Sequence, residues 1–362
     1  MQWLGGGGIV VLFVAILPIL GAGGRVLFQT EITGPIKDTL TPRVKDTAIA
    51  MWKVYIGVTL FQVILLMSTN TEMGLFDAIT IAFAAISTGG LSVHNANIAY
   101  YHNEATDWAV VICMLLGSIN FSIYYFMLQG KLYKIYKPEI FLYLVIVFFL
   151  CLFVSLNIAG TPKDLATGEV QGVFSPEEAF RYGSFQAISA ISSSGFFTAN
   201  YDIWPYISQV LLLIAMFIGG MSGSTSGGIK IMRHYLLFHI AKHKIESLFN
   251  PERVQSLKIG EREVDNNAVV MNLCFFLLLI FSSVMGTLFF VFQGIDPETA
   301  LGLVGCMVNN TGMTFRVGSP LYSCAFLSNA GYILSSALMI LGRLEFFAIF
   351  AVLVPAFWKK RG

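Results

Sequence analysis

Charged side chains are scarce in this chain of 362 residues: Asp, Glu, Lys and Arg make up 12% of it, against 56% hydrophobic residues. A soluble core of this length could not hide so much apolar surface, and a mean hydropathy of +0.73 sets the class as an integral membrane protein. Cysteine is thin as well. Cys113, Cys151, Cys274, Cys306 and Cys324 lie in or beside apolar runs without Cys-x-x-Cys spacing, which argues against a disulfide framework or a zinc site. The N-terminal run has neither a basic start nor a small-residue cleavage site, so no secretory leader is evident. No Ser/His/Asp set and no paired carboxylates suggest covalent catalysis, and no cofactor or nucleic-acid partner is expected.

What the chain does have is length in its apolar runs, at about 5–24, 49–69, 108–128, 138–160, 204–218, 266–292 and 327–357, measured against the ~20 residues of a bilayer crossing. Basic residues favour the cytoplasmic side, and 18 of the 22 Lys and Arg fall on one proposed side. These are Arg25, Lys37, Arg43, Lys45 and Lys53; Lys131, Lys134 and Lys137; seven between Lys230 and Arg262; and Lys359, Lys360 and Arg361. The other, outer side holds Lys163, Arg181 and Arg316 against eleven acids, among them Glu72, Asp77, Glu104, Asp107, Asp164, Glu177, Glu178, Asp202 and Asp296. That excess of eight negative charges would concentrate cations outside, although the net charge of the whole chain is only +1.

Three of the four Gly/Ser/Thr/Asn stretches follow a short segment lying between two spans. They are Ser87-Thr88-Gly89-Gly90-Leu91-Ser92, Ser192-Ser193-Ser194-Gly195-Phe196-Phe197-Thr198 and Asn309-Asn310-Thr311-Gly312-Met313-Thr314. The segments before them, Phe76–Ile86, Pro176–Ile191 and Pro297–Val308, run ~11–16 residues, too short to cross and right for re-entrant helices. Their starts carry helix N-terminal signals: Asp77, then Ser175-Pro176-Glu177-Glu178, then Asp296-Pro297-Glu298. Helices that start outside and point inward turn their carbonyl ends to the membrane interior, where they favour a cation. Irregular backbone at that depth survives only where protein or a water-filled path satisfies it, so these stretches read as pore loops.

The fourth stretch, Gly219 to Gly228, holds five glycines, three serines and a threonine in what would be a spanning helix. It cannot stay helical in lipid and must line a cavity, so a plug below the pore loops is expected. A phosphate loop is excluded, because Ile229 stands where lysine is required and the segment interrupts a membrane helix. Arg343 is the most expensive residue, since a central intramembrane arginine costs ~2.5–3.5 kcal/mol or more without water or a partner. Glu345, two residues on, points to a different helix face, and the inner end at Lys359 is about 24 Å away, too far to snorkel. Contact with glycine-loop carbonyls would satisfy its donors, which assigns it a gate or barrier role. His239 and His243 have the spacing of two metal ligands but lack the glutamate of the zinc-hydrolase motif. With His234, Lys242 and Lys244 they read as a basic helix facing solvent or a cytosolic partner.

The order of span, short segment, polar turn, acidic loop, span and basic loop recurs about every 100 residues. It divides the chain into 1–24, the second helix of an incomplete first pore unit; 25–48, a cytoplasmic linker; a second unit at 49–130; a third at 138–245 that includes the loop 219–228; and a fourth at 266–358. With these motifs in order, the chain resembles the Trk/Ktr/HKT superfamily of potassium transporters, most closely the bacterial TrkH/TrkG type. The resemblance rests on Ser87-Thr88-Gly89-Gly90, Ser193-Ser194-Gly195-Phe196 with Asp202-Ile203-Trp204-Pro205, Asn309-Asn310-Thr311-Gly312, the stretch Gly219 to Lys230 and Leu341-Gly342-Arg343-Leu344-Glu345.

The resemblance implies an all-α membrane fold with a pseudo-fourfold repeat of helix, pore loop and helix, with one filter glycine per unit, at Gly89, Gly195 and Gly312. The ion-binding filter would comprise Thr88, Gly89, Gly90, Ser194, Gly195, Phe196, Thr311, Gly312 and Met313, with potassium held at Thr88, Gly89, Ser194, Gly195, Thr311 and Gly312. The gate would comprise Gly219, Gly220, Gly223, Ser224, Thr225, Ser226, Gly227, Gly228 and Arg343. Also implied are a multi-pass bacterial inner-membrane location, a homodimer and a cytosolic nucleotide-binding regulatory subunit of the TrkA or KtrA kind. Two alternatives stay open: a non-conducting truncated fragment of such a transporter, and a polytopic membrane enzyme.

Overall fold

The computed structural model of the chain describes residues 1–8, 44–131, 138–166, 170–249, 258–259, 262–264, 266–316, 323–344, 346 and 349. In chain order its helices are α1 (Val44–Thr69), α2 (Leu75–Ile86), α3 (Glu104–Ser118), α4 (Phe121–Leu128), α5 (Pro138–Ile158), α6 (Pro176–Ile191), α7 (Tyr206–Ile218), α8 (Ile231–Phe249), α9 (Asn266–Phe292), α10 (Pro297–Asn309) and α11 (Asn329–Arg343). A two-residue antiparallel pair, β1 (Lys258–Ile259) and β2 (Arg262–Glu263), lies between α8 and α9. The class is an all-α membrane protein.

Among the described residues, α1, α5 and α9 are each long and apolar enough to cross a bilayer unaided. Most of their apolar side chains face outward, for example Phe61 and Ile64 on α1, Phe141, Phe148 and Phe153 on α5, and Leu277 and Phe281 on α9. In water such faces would be a liability; against lipid tails they cost nothing.

The short helices α2, α6 and α10 are the reverse case, buried along most of their length inside the ring of longer ones. Their starts follow the sequence signals closely. Ser175 and Glu178 form a complete capping box ahead of Pro176, with the Ser175 hydroxyl accepting from the Glu178 amide at 3.3 Å and the Glu178 carboxylate from the Ser175 amide at 3.0 Å. Asp296 caps α10 through the Thr299 amide at 2.9 Å. On α2, Gly74 takes the cap position without a side-chain bond. Asp77, in the first turn, accepts instead from the Tyr101 hydroxyl at 2.8 Å and contacts His94 Nε2 at 3.0 Å.

Two of the expected spans differ. The first long helix starts at Val44, inside the segment expected to be linker. The run at 108–128 is two helices, α3 and α4, which meet at 93° across Ile119 and Asn120. Hydrogen bonds bridge the break: Asn120 caps α4 at Ser122, the Phe121 amide donates to Gly223 O, and the Ser118 carbonyl accepts from Met221. The last described helix, α11, ends at Arg343, and residues 350–357 of the expected last span lie outside the described residues. Of the expected span 5–24 only its first residues are described, as a π-turn over Leu4–Gly8; Glu345, Lys359 and the linker up to 43 lie outside the described residues.

Two carboxylates at the starts of these short helices are held below the usual carboxylate range, Glu178 by Lys163 and then by the Ser175 amide, and Asp296 chiefly by the Thr299 amide. A lowered folded pKa contributes stability that is complete above the unfolded value and is lost as pH falls through the folded one. Thermal stability in detergent should therefore drop as pH falls from 7 through the carboxylate range, and Asp296→Asn should flatten that dependence. At neutral pH, Ser175→Ala should cost about 1 kcal/mol of stability.

Candidate ion pathway

The three buried helices end in the same backbone turn. Just past the last helical residues, Thr88 (φ 51°), Ser193 (φ 57°) and Asn310 (φ 52°) are left-handed. The next amide then reaches back five residues: Gly89 to Ala84 O at 2.7 Å, Ser194 to Ser189 O and Thr311 to Cys306 O, each at 3.0 Å. This is the bond pattern of a Schellman-type C-cap. One residue further, Gly90 (φ 64°), Gly195 (φ 78°) and Gly312 (φ 78°) are also left-handed. The sequence reading is thereby corrected by one position: Gly90, not Gly89, is the counterpart of Gly195 and Gly312, and Gly89 corresponds to Ser194 and Thr311. Two adjacent glycines hid the register, which backbone conformation settles.

Glycine is required at these turns on two grounds. Positive φ strains any side chain, and a Cβ on Gly90 would collide with the Ser194 carbonyl oxygen, just as one on Gly195 would collide with that of Thr311. The segments therefore touch backbone to backbone. Side chains that sequence reading missed prop their carbonyls: Asn97 Nδ2 donates to Gly90 O at 3.0 Å, Ser189 Oγ to Phe196 O at 2.6 Å and the Tyr201 hydroxyl to Thr314 O at 2.9 Å. Phe196 and Met313 are buried behind the turns. At the outer rim Asp202 accepts from the Arg316 amide at 2.9 Å, while Arg316 Nε donates to Glu298 at 2.6 Å, which ties the third and fourth segments together.

The glycine loop lies under these helix ends. α7 stops at Gly219 (φ 72°), and the chain folds back so tightly that a Cβ on Gly228 would stand 2.6 Å from the Gly219 Cα. Gly228 donates to Asn309 O, the carbonyl end of α10, at 3.2 Å. Thr225 shares its hydroxyl proton between Ile86 O, the carbonyl end of α2, at 2.6 Å and Gly117 O at 2.9 Å. The Thr225 carbonyl accepts from the Thr88 hydroxyl and from Arg343 Nη1, both at 2.9 Å. Arg343 Nη2 reaches Gly6 O at 3.0 Å, so the expected contact between arginine and loop carbonyl is present. Glu139, buried at the start of α5, accepts from the Ser222 amide at 2.6 Å and pins the far side of the loop. Gly220, Gly223, Ser224, Ser226 and Gly227 complete the stretch, and the Gly220 amide donates to Ser226 Oγ.

The histidines of α8 turn inward on their own helix: His234 Nδ1 meets Lys230 O and His239 Nδ1 meets Tyr235 O. Among the described residues no three metal-ligating side chains come together.

The family profile described as TrkH, cation transport protein, matches residues 1–360. The chain belongs to the TrkH family. It is 35% identical to the Trk system potassium uptake protein TrkH of Halomonas elongata, over 99% of this chain and 72% of that protein. It is 32% identical to the Trk system potassium uptake protein TrkG of Escherichia coli, over 99% and 72% respectively. The crystal structure of the potassium transporter TrkH from Vibrio parahaemolyticus superposes with a TM-score of 0.79 at 31% identity, covering 99% of this chain and 71% of that one.

The register is open to test. Gly90→Ala should lose at least ~1–3 kcal/mol of stability from its left-handed backbone alone. Gly89→Ala should be milder, because its Cβ meets only the flexible end of the Gln2 side chain. Melting of the two variants in detergent, side by side, checks the order; the reverse order would restore Gly89 as the equivalent glycine.

Proposed function

We propose that this chain carries potassium uptake, with dehydrated ions passing between the carbonyls of the three glycine turns. The observation that carries the reading is the convergence of three buried helix C-termini, each ending in a left-handed glycine two residues past a left-handed Thr, Ser or Asn. Each helix end favours a cation by a few tenths to ~1 kcal/mol, and closely set carbonyls supply the oxygens that replace a hydration shell. In the corrected register the ion ligands would be carbonyls at Gly89, Gly90, Ser194, Gly195, Thr311 and Gly312, with Thr88, Phe196 and Met313 completing the segments. Potassium is the cargo named for the relatives above.

In this reading the glycine loop and Arg343 form the gate. The guanidinium sits on the loop below the carbonyl ends of α2 and α10, adding a fixed positive charge where a permeating cation would rest. Opening requires the loop to leave the helix ends. A bacterial inner-membrane location, a homodimer and a cytosolic nucleotide-binding subunit of the TrkA or KtrA kind belong to the same proposal, and the basic helix α8 suits that partner's docking. The reading as a polytopic enzyme is not favoured, because the relatives named above are potassium uptake proteins. The reading as a non-conducting fragment predicts no flux at all.

Purified protein in liposomes separates these readings by potassium and sodium flux measured in parallel. Gly195→Ser should lower the potassium-to-sodium ratio about tenfold, equivalent to ~1.4 kcal/mol of discrimination. An unchanged ratio would remove Gly195 from the filter. Arg343→Ala should raise basal flux and insert at least as well as the parent, since it lifts a cost of ~2.5–3.5 kcal/mol. Arg343→Lys, which keeps the charge without the planar fork, should retain more of the barrier than alanine. If both variants conduct like the parent, the arginine is structural.

A further inference from the structure

Lys230 closes the glycine loop, and the ion path described so far makes no use of its side chain. Three circumstances work against a lysine at this position. Its backbone is left-handed at φ 77°, its side chain is 4% exposed, and it immediately precedes Ile231, the first residue of α8, where the helix dipole disfavours a positive charge. A buried intramembrane ammonium with such a backbone is a functional residue by default.

Among the described residues, the ammonium meets the loop it closes. Lys230 Nζ bonds to Ser226 O, lies 3.3 Å from Ser226 Oγ and lies 3.4 Å from Ser224 O. The carbonyl between those two, Thr225 O, accepts from Arg343. Three successive carbonyls of one loop, 224, 225 and 226, thus each face a cationic side chain. The loop oxygens at Nζ include two carbonyls and a hydroxyl, the kind of donors that also replace the water of a dehydrated monovalent cation. Lysine suits such a seat because its charge is compact and its stem flexible, whereas the planar fork of arginine spreads over several acceptors.

We propose that Ser224 O, Ser226 O and Ser226 Oγ form a monovalent-cation site within the glycine loop, occupied in this conformation by the tethered ammonium of Lys230. The site rests on the reading of that loop as the gate. A seated Lys230 neutralises the loop oxygens and holds the loop against the ends of α2 and α10. A withdrawn Lys230 leaves an oxygen seat that a passing monovalent cation fills as the loop moves. Lys230 is then a positioning residue that acts through the loop it closes.

The test uses the whole chain with Lys230→Ala, read by rubidium flux in liposomes and by hydrogen–deuterium exchange of the amides at 219–230 in detergent. The added probe is ethylammonium, a primary ammonium small enough for the vacated seat. Loop exchange in Lys230→Ala should rise about fivefold, together with basal flux, and ethylammonium should return both toward parent values while leaving the parent unchanged. A strut without a cation site would also loosen on truncation, but the free amine would not repair it, so exchange insensitive to ethylammonium overturns the proposal. Should Lys230→Ala not fold, Ser226→Ala, which removes one of the three oxygens, must show faster loop exchange, and parental exchange there overturns the proposal as well. Exchange that responds to the amine when no variant passes rubidium would uphold the site and reject the conduction reading.

Discussion

Thr225 is the joint on which the interior depends. A helix that stops inside a bilayer leaves carbonyls with no water to satisfy them, and three such ends meet here: α2 at Ile86, α3 at Gly117 and Ser118, and α10 at Asn309. The Thr225 hydroxyl serves Ile86 and Gly117, its amide also donates to Gly117, and its carbonyl takes the Arg343 guanidinium and the Thr88 hydroxyl. Met221 and Gly228 close Ser118 and Asn309. The loop thus supplies what the broken helices lack, and the helices in turn keep a glycine-rich segment ordered. Either without the other would leave polar backbone unpaired in an apolar slab.

The two membrane faces are also built differently. Each of the three outer bases is committed to acids: Lys163 to Glu178, Arg181 to Glu104 and Asp107, and Arg316 to Glu298 and Asp202. The pairs on α6 and α10 brace these two helices near their starts. They also leave the acidic excess of that side without basic charge to spare.

Much of this was legible in the chain because local rules agreed with tertiary ones. Pro176–Ile191 was marked at its start by a cap residue, proline and acids and at its end by a serine run, and the helix occupies those residues. Gly219 to Gly228 could not be helix, and Arg343 could not be left without an acceptor; each inference required the other, and the structure joins them at Thr225. The break between α3 and α4 was not legible. Ile119 and Asn120 carry neither proline nor glycine, and the bend is maintained by loop amides about a hundred residues away in sequence. The glycine register escaped for the opposite reason, since Gly89 and Gly90 both satisfy the pattern and only the sign of φ separates them. Lys230 counted as one inner basic residue among many, because its burial depends on how the loop folds back over it.

The contacts of Gly90 with Ser194 and of Gly195 with Thr311 join main chain to main chain, without a side chain on the glycine in between. Their spacing is fixed by atomic radii that every amino-acid sequence shares. Substitution at the contact cannot adjust that distance by a fraction of an ångström; it can only break it. If these turns form the filter proposed above, variation in what it admits would enter from behind, through residues such as Ser189, Tyr201 and Asn97 that hold the carbonyls while the glycines stay fixed. On that reading the opening is a part of standard size, and its mountings are where a lineage would retune it.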